Sequence, residues 1–195
     1  MMMLSLIVLA AGKSTRMLGR NKLLEMTHGK PMIRHVVEAA CNSKVDEIIV
    51  VLGWEADKIR RALTSLRCRL TVNEEFEKGQ SSSLITGLMQ IRKDAQAVLV
   101  LPGDMARMDS LSINKVVDEY NINNGLIVVA CYNGIHGHPI LLDRQLFSEI
   151  MKITEDTYGL KAVVKNHETE IHMVETDTDN VLRDVDTPED LYWLT

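Results

Sequence analysis

The stretch Leu4-Ser5-Leu6-Ile7-Val8-Leu9-Ala10-Ala11-Gly12-Lys13-Ser14-Thr15-Arg16 decides the fold class. An apolar run over Leu4 to Ala10 that breaks into small and polar residues is the pattern of a strand buried on both faces and ending in a loop. Helical spacing follows at Ile33, Val36, Val37 and Ala40, at Ile59, Ala62, Leu63 and Leu66, and at Ile113, Val116, Val117 and Tyr120. Short β-branched runs lie between them at Glu47 to Leu52, Leu70 to Asn73, Ala97 to Leu101 and Leu126 to Cys131. Strand and helix therefore alternate. Parallel neighbours need a crossover, so the alternation predicts an α/β fold with a largely parallel sheet covered by helices on both sides. Beyond His138 the pattern predicts helices near Gln145 to Lys152 and Gly159 to Asn166, then strands at Ile171 to Val174 and Val181 to Asp184. No repeat or linker divides residues 1–195, which are expected to form a single domain.

The composition narrows the class of function. Of 195 residues 46% are hydrophobic, 25% charged and only 4% aromatic, which excludes a collagen, a disordered tail and a membrane protein. Lys plus Arg number 22 against 27 Asp plus Glu, a formal charge of −5, so nucleic acid is not the expected partner. Cys41, Cys68 and Cys131 are far apart and form no C-x-x-C pair, which fits a reducing cytoplasm. The apolar opening from Met1 to Ala11 is too short to cross about 30 Å of hydrocarbon and has no charged leader, so it is expected to be a strand and not a membrane or secretion signal.

In an open sheet of this kind ligands collect beyond the carboxyl ends of the strands. Gly12-Lys13-Ser14 superficially suggests a phosphate-binding Walker loop, but the first glycine of that motif would fall at Ile7, inside the strand. What remains is a small-residue turn followed by Lys13, Arg16, Arg20 and Lys22, with no acid before Glu25, a cluster suited to a polyphosphate or else a solvated basic loop. Asp104 follows the run Ala97 to Leu101, and Asp186 lies in Asp184-Val185-Asp186-Thr187-Pro188-Glu189-Asp190. Two carboxylates from distant segments are the usual protein share of a Mg²⁺ site, and Asp104 and Asp186 are the candidate ligands. For Asp104 a turn-forming role is the competing reading. Thr187 reads as a helix N-cap, with Pro188 at the first helical position and acids in the first turn.

Ser81, Ser82 and Ser83 with Gly79 open a helix carrying Leu84, Leu88 and Ile91. One serine suffices as a cap; the others are either nucleotide contacts or a polar turn. His136-Gly137-His138-Pro139 has no further metal ligand in view, so His138 is expected in a loop lining the substrate cleft.

Together these stretches resemble the MobA-like nucleotidyltransferase family, most closely its molybdenum cofactor cytidylyltransferase branch. The matching residues are Leu9-Ala10-Ala11-Gly12 through Arg16-Met17, Gly19 to Lys22, Gly29-Lys30-Pro31, Val51-Leu52-Gly53, Asn73 with Gly79 and Ser81-Ser82-Ser83-Leu84, Gly103-Asp104-Met105, Gly137-His138-Pro139 and Asp184 to Asp190. The resemblance implies a Rossmann-like three-layer α/β/α fold whose mostly parallel sheet contains an antiparallel strand. It also implies Mg²⁺-dependent transfer of a nucleoside monophosphate from an NTP to a phosphorylated acceptor, molybdopterin or its molybdenum-loaded form, with release of pyrophosphate and a molybdenum hydroxylase as possible client.

By position, Leu9, Ala10, Ala11 and Gly12 would be the base and phosphate cradle, and Arg16 and Lys22 the catalytic phosphate neutralisers. Gly79, Ser81, Ser82 and Ser83 would be nucleotide contacts, His138 part of the acceptor side, and Asp104 and Asp186 the metal ligands. Ala11, where guanylyl-transferring relatives tend to carry a second glycine, points to CTP. There are departures from the pattern. Leu18 lengthens the usual R-M-G-x-x-K by one residue, Gln80 and Trp54 replace common residues, and Glu155 to Lys161 stands where many relatives carry G-D-x-G-x-R. Two other readings remain: transfer to a sugar phosphate or other small phosphorylated acceptor, and a non-catalytic accessory protein that hands cofactor to a molybdenum hydroxylase.

Overall fold

The computed structural model describes residues 2–17 and 19–194; Met1, Thr195 and the inserted Leu18 lie outside them. In chain order the elements are β1 (Leu4–Ala10), β2 (Met26–Thr27), β3 (Lys30–Pro31), α1 (Met32–Cys41), β4 (Glu47–Leu52), α2 (Ala56–Ala62), β5 (Arg69–Val72) and α3 (Gln80–Leu88). They continue with β6 (Ala97–Pro102), α4 (Ser110–Asn123), β7 (Ile127–Tyr132), β8 (Ile135–Asp143), α5 (Phe147–Ile150), α6 (Gly159–Asn166) and β9 (Ile171–Glu175). None of the described helices is long and apolar enough to cross a membrane.

Among the described residues seven strands form one sheet in the order β5-β4-β1-β6-β8-β7-β9, and β2 pairs with β3 in a small separate hairpin. β1 pairs in parallel with β4 and β6, and β5 extends the parallel half beyond β4. β8 runs antiparallel between β6 and β7, and β9 is parallel to β7. The sheet is thus the mostly parallel mixed sheet of a Rossmann-like three-layer fold.

Alternation along the strands assigns the two faces. Leu6 and Val8 of β1 with Leu99 of β6 pack under Ile33 and Val37 of α1, Ile59 of α2 and Val116 of α4. Ile7, Val98 and Val100 face the other way, onto Leu84 of α3, Ile150 of α5 and Val163 of α6. Each such aliphatic side chain contributes about 1.5–3 kcal/mol by leaving water. A strand apolar on both faces accordingly sits between two helical layers.

Three segments differ from their sequence reading. Val181 to Asp184 is not a strand: a 3₁₀ turn spans Asp179–Leu182, closed by the Arg183 guanidinium donating to Asp179 at 2.7 Å. β8 already has a partner on each side, and a Cβ at Gly137 would run into the Val181 carbonyl, so this segment crosses over β8 and does not extend the sheet. His136 to Pro139, expected as a loop, belongs to β8, which the turn at Asn133 and Gly134, both at positive φ, folds back onto β7. The second helix stops at Ala62, short of Leu66: Leu63 caps it at φ −98° and ψ 4°, and Ser65 then turns left-handed at φ 73°.

At the amino ends of the strands Glu47 is a buried anchor with 8% of its side chain exposed. It accepts from Ser5 Oγ at 2.9 Å, from the Arg92 backbone amide at 3.0 Å and from the Arg69 guanidinium at 2.6 Å. Glu47→Ala strands the buried Ser5 hydroxyl and releases Arg69 and the Arg92 amide to water, and is expected to lower the unfolding free energy by about 1–3 kcal/mol in urea denaturation. A loss below about 0.5 kcal/mol would show that water replaces the carboxylate at no cost.

Candidate active site

The parallel strands β1, β4 and β6 end at Ala10, Leu52 and Pro102 on one rim, and the chain beyond each is drawn tightly inward. The Gly103 amide donates to the Leu9 carbonyl at 2.9 Å and the Trp54 amide to the Ala11 carbonyl at 3.1 Å. A Cβ at Gly53 would lie 2.7 Å from the Ala11 carbonyl oxygen, and one at Gly103 would lie 2.9 Å from Leu9 O, so both turns require glycine. A cleft of 520 Å³ opens at this rim.

Nine of the thirteen residues given a site role by the resemblance line the cleft: Leu9, Ala11, Gly12, Arg16 and Lys22 from the first loop, Gly79 and Ser83 from the α3 end, and Asp104 and Asp186. Lys22 reaches it despite the inserted residue. Asn21 opens a 3₁₀ turn at Lys22–Leu24 by accepting from the Leu23 amide at 3.1 Å, and Ser14 Oγ accepts from the Lys22 amide at 3.2 Å. The Lys22 ammonium then lies 2.6 Å from Asp104 Oδ2 and 2.8 Å from Asp186 Oδ1, with Arg16 paired to the other oxygen of Asp186. Across the mouth, Lys13 pairs with Glu77 and lies 5.9 Å from the centre of the Phe76 ring.

Burial alone would push the Lys22 ammonium down, but the adjoining Asp104 and Asp186 carboxylates overcome it and its pKa is raised. The hydrogen bond from Lys22 holds the Asp186 carboxyl below its usual range, against a smaller opposing effect of burial. The two acid-bearing segments are tied together, since the Val185 amide donates to the Asp104 carbonyl at 3.3 Å while the Val185 side chain is buried beside Met32. Asp190 fixes the turn beyond, accepting from the Asp186 amide at 2.9 Å and from the Thr187 amide at 2.7 Å. The Thr187 hydroxyl, expected to accept as an N-cap, donates to the same carboxylate at 3.0 Å.

Four expected contacts lie elsewhere among the described residues. Ala10 is buried at the end of β1. Ser82 holds the turn before α3, donating to the Gly79 carbonyl at 2.8 Å and accepting from Asn73 at 2.9 Å. Ser81 is 5% exposed and its amide donates to Glu155 at 2.7 Å, so the expected serine cap is replaced by a carboxylate from a remote segment. His138 is on β8 and does not line the cleft; burial lowers its pKa, opposed by the Val100 backbone and the Asp184 carboxylate.

Asp184 is the acid that the sequence reading left aside. Desolvation first, then the negative charges of Asp104 and Asp186, raise its pKa. A carboxyl that holds its proton more tightly in the folded chain costs stability once ionised; the cost is full above the folded pKa and absent below the unfolded one. In chelator, Asp184→Asn should therefore raise Tm at pH 7, with the gain vanishing as the pH falls to about 3, through the ordinary carboxylate range. A gain that persists at low pH, or no gain at pH 7, would show that the three carboxylates do not repel one another as the geometry requires.

A family model described as the MobA-like NTP transferase domain matches residues 6–171. The Bifunctional protein GlmU of Desulfotalea psychrophila is 30% identical over 127 residues, covering 65% of this chain and 37% of that protein, so the chain spans little more than a third of the length of this curated relative. Among solved structures, Rv0371c from Mycobacterium tuberculosis H37Rv superimposes with a TM-score of 0.86 at 26% identity, covering 99% of this chain and 97% of that one. A complex of the same mycobacterial protein with manganese gives a TM-score of 0.79 at 24% identity over 98% of this chain and 97% of the other. With its fold, its rim cleft and a family match over most of its length, the chain belongs to the MobA-like NTP transferase domain family.

Proposed function

We propose that this chain transfers CMP from CTP to the terminal phosphate of molybdopterin or its molybdenum-loaded form. The observation that carries the reading is the meeting of Lys22 and Arg16 with Asp104 and Asp186 in one cleft beside the small-residue loop. Ala11 in that loop supports CTP, and the stretches shared with the cytidylyltransferase branch support the acceptor. On this reading residues 1–195 act as one nucleotidyltransferase domain in the cytoplasm, and a molybdenum hydroxylase is the client for the product.

An acceptor phosphate oxygen attacks the α-phosphorus, the bond from that phosphorus to the bridging oxygen of the β-phosphate breaks, and pyrophosphate leaves with the electron pair. A phosphate nucleophile is already ionised near neutral pH, so no general base is required. The chain contributes position and charge: Leu9, Ala11 and Gly12 with Gly79 and Ser83 cradle the nucleotide, while Lys22 and Arg16 neutralise the departing pyrophosphate. The residues fit a hard divalent cation. Asp104 Oδ1 is buried with no partner, and both candidate ligands are carboxylates. Two carboxylates are enough for Mg²⁺, a cation that takes its remaining oxygens from water and phosphate. Bound to Asp104 and Asp186, Mg²⁺ would supply electrostatic stabilisation of phosphate charge.

Transfer to a different small phosphorylated acceptor, such as a sugar phosphate, is the second reading, favoured by the substituted segment Glu155 to Lys161. Pyrophosphate release with each of the four NTPs, with and without molybdopterin, separates the two. The expected result is Mg²⁺-dependent release with CTP and molybdopterin, reduced at least about 100-fold in Asp104→Ala and in Asp186→Ala with circular dichroism unchanged. Full turnover by either variant removes that residue from the metal site, and turnover only with another acceptor replaces the first reading with the second.

A further inference from the structure

Helix α3 begins on Gly79, which has no side chain to cap it, and φ there is 97°, a conformation that favours glycine. Its first free amides therefore need an acceptor from elsewhere. Glu155, 74 residues further along, supplies one: its Oε1 accepts from the Ser81 amide at 2.7 Å. The fit is close, for a Cβ at Gly79 would overlap the Glu155 side chain, and one at Gly159 would lie 2.7 Å from Ser81 Oγ. Glu155 also sits on a fixed backbone. The Thr154 amide donates to Thr157 Oγ1 at 3.0 Å and the Gly159 amide to the Thr154 carbonyl at 2.9 Å, and Tyr158 and Gly159 follow at φ 61° and 54°. Gly79 and Ser83, on either side of the bonded amide, line the cleft.

We infer that Glu155 is a positioning residue for nucleotide binding: its carboxylate caps α3 from a remote segment and sets the Gly79–Ser83 turn against the cleft. The inference rests on the reading that this cleft takes an NTP. It gives a role to the segment that departs from G-D-x-G-x-R. A carboxylate at a helix N-terminus is favoured by both the free amides and the helix dipole, so the cap holds the turn more firmly than a serine would.

Hydrogen exchange and CTP binding, measured on the full chain, test this. Glu155→Ala should speed exchange of the Ser81 amide about tenfold and weaken CTP binding by a similar factor, the worth of a charge-assisted hydrogen bond. Glu155→Asp, one methylene too short to keep the bond, should behave as Glu155→Ala does, and serves if the alanine variant does not fold. Glu155→Gln keeps an acceptor oxygen and should stay within about threefold of the parent on both readouts. Parental exchange at Ser81, or parental CTP affinity in a folded Glu155→Ala, overturns the inference, as does a variant that lowers only Tm. If the parent chain binds no CTP, the nucleotide reading fails separately, while Ser81 exchange still decides whether Glu155 holds the turn.

Discussion

A strand that is apolar on both faces has to be roofed on both sides, and β1 imposes that requirement on the whole molecule. Leu6 and Val8 need one helical layer and Ile7 the other. Parallel pairing of β1 with both β4 and β6 meets it, because each crossover lays a helix over a face. The same pairing decides where chemistry happens. Strands that all point one way deliver their following loops to one edge, and the two glycine-dependent turns at Gly53 and Gly103 close there onto the end of β1.

Electrostatics then completes what topology begins. Asp104 and Asp186 arrive from segments 82 positions apart in the chain and share one ammonium, that of Lys22. The backbone bond from Val185 to Asp104 ties the two acid-bearing segments together. Asp184 loses water and faces the same negative field, which raises its pKa, whereas the hydrogen bond from Lys22 lowers that of Asp186. The cleft is a balanced arrangement of charges, and a polyphosphate with a divalent cation is a ligand that brings both signs to it.

Much of this is legible in the chain. Periodicity finds β1, β4, β6, α1 and α4 because each buries a face against the core, and burial leaves an alternating or helical mark. The rim residues Gly12, Lys22 and Asp104 follow from their places after β1 and β6, whereas Asp186 is nominated by an expected strand that the structure replaces with a 3₁₀ turn. What periodicity misses is held by specific bonds. Asn133 and Gly134 at positive φ make a hairpin turn that places His138 on β8, where the sequence reading expects a loop. Val181 looks like the start of a strand, yet a strand needs an unpaired neighbour, and β8 has none to offer. The Glu155 cap joins residues far apart in sequence, and no local spacing announces it.

Glu47 ties down the edge of the sheet opposite the cleft, fastening β1, β4, β5 and the turn before β6 with one carboxylate. Cohesion and chemistry are thereby housed at opposite poles of the molecule. The loops around the cleft are free to be redrawn for another guest while the far pole keeps the strands in register, which is how a single scaffold of this kind can serve many donors and recipients.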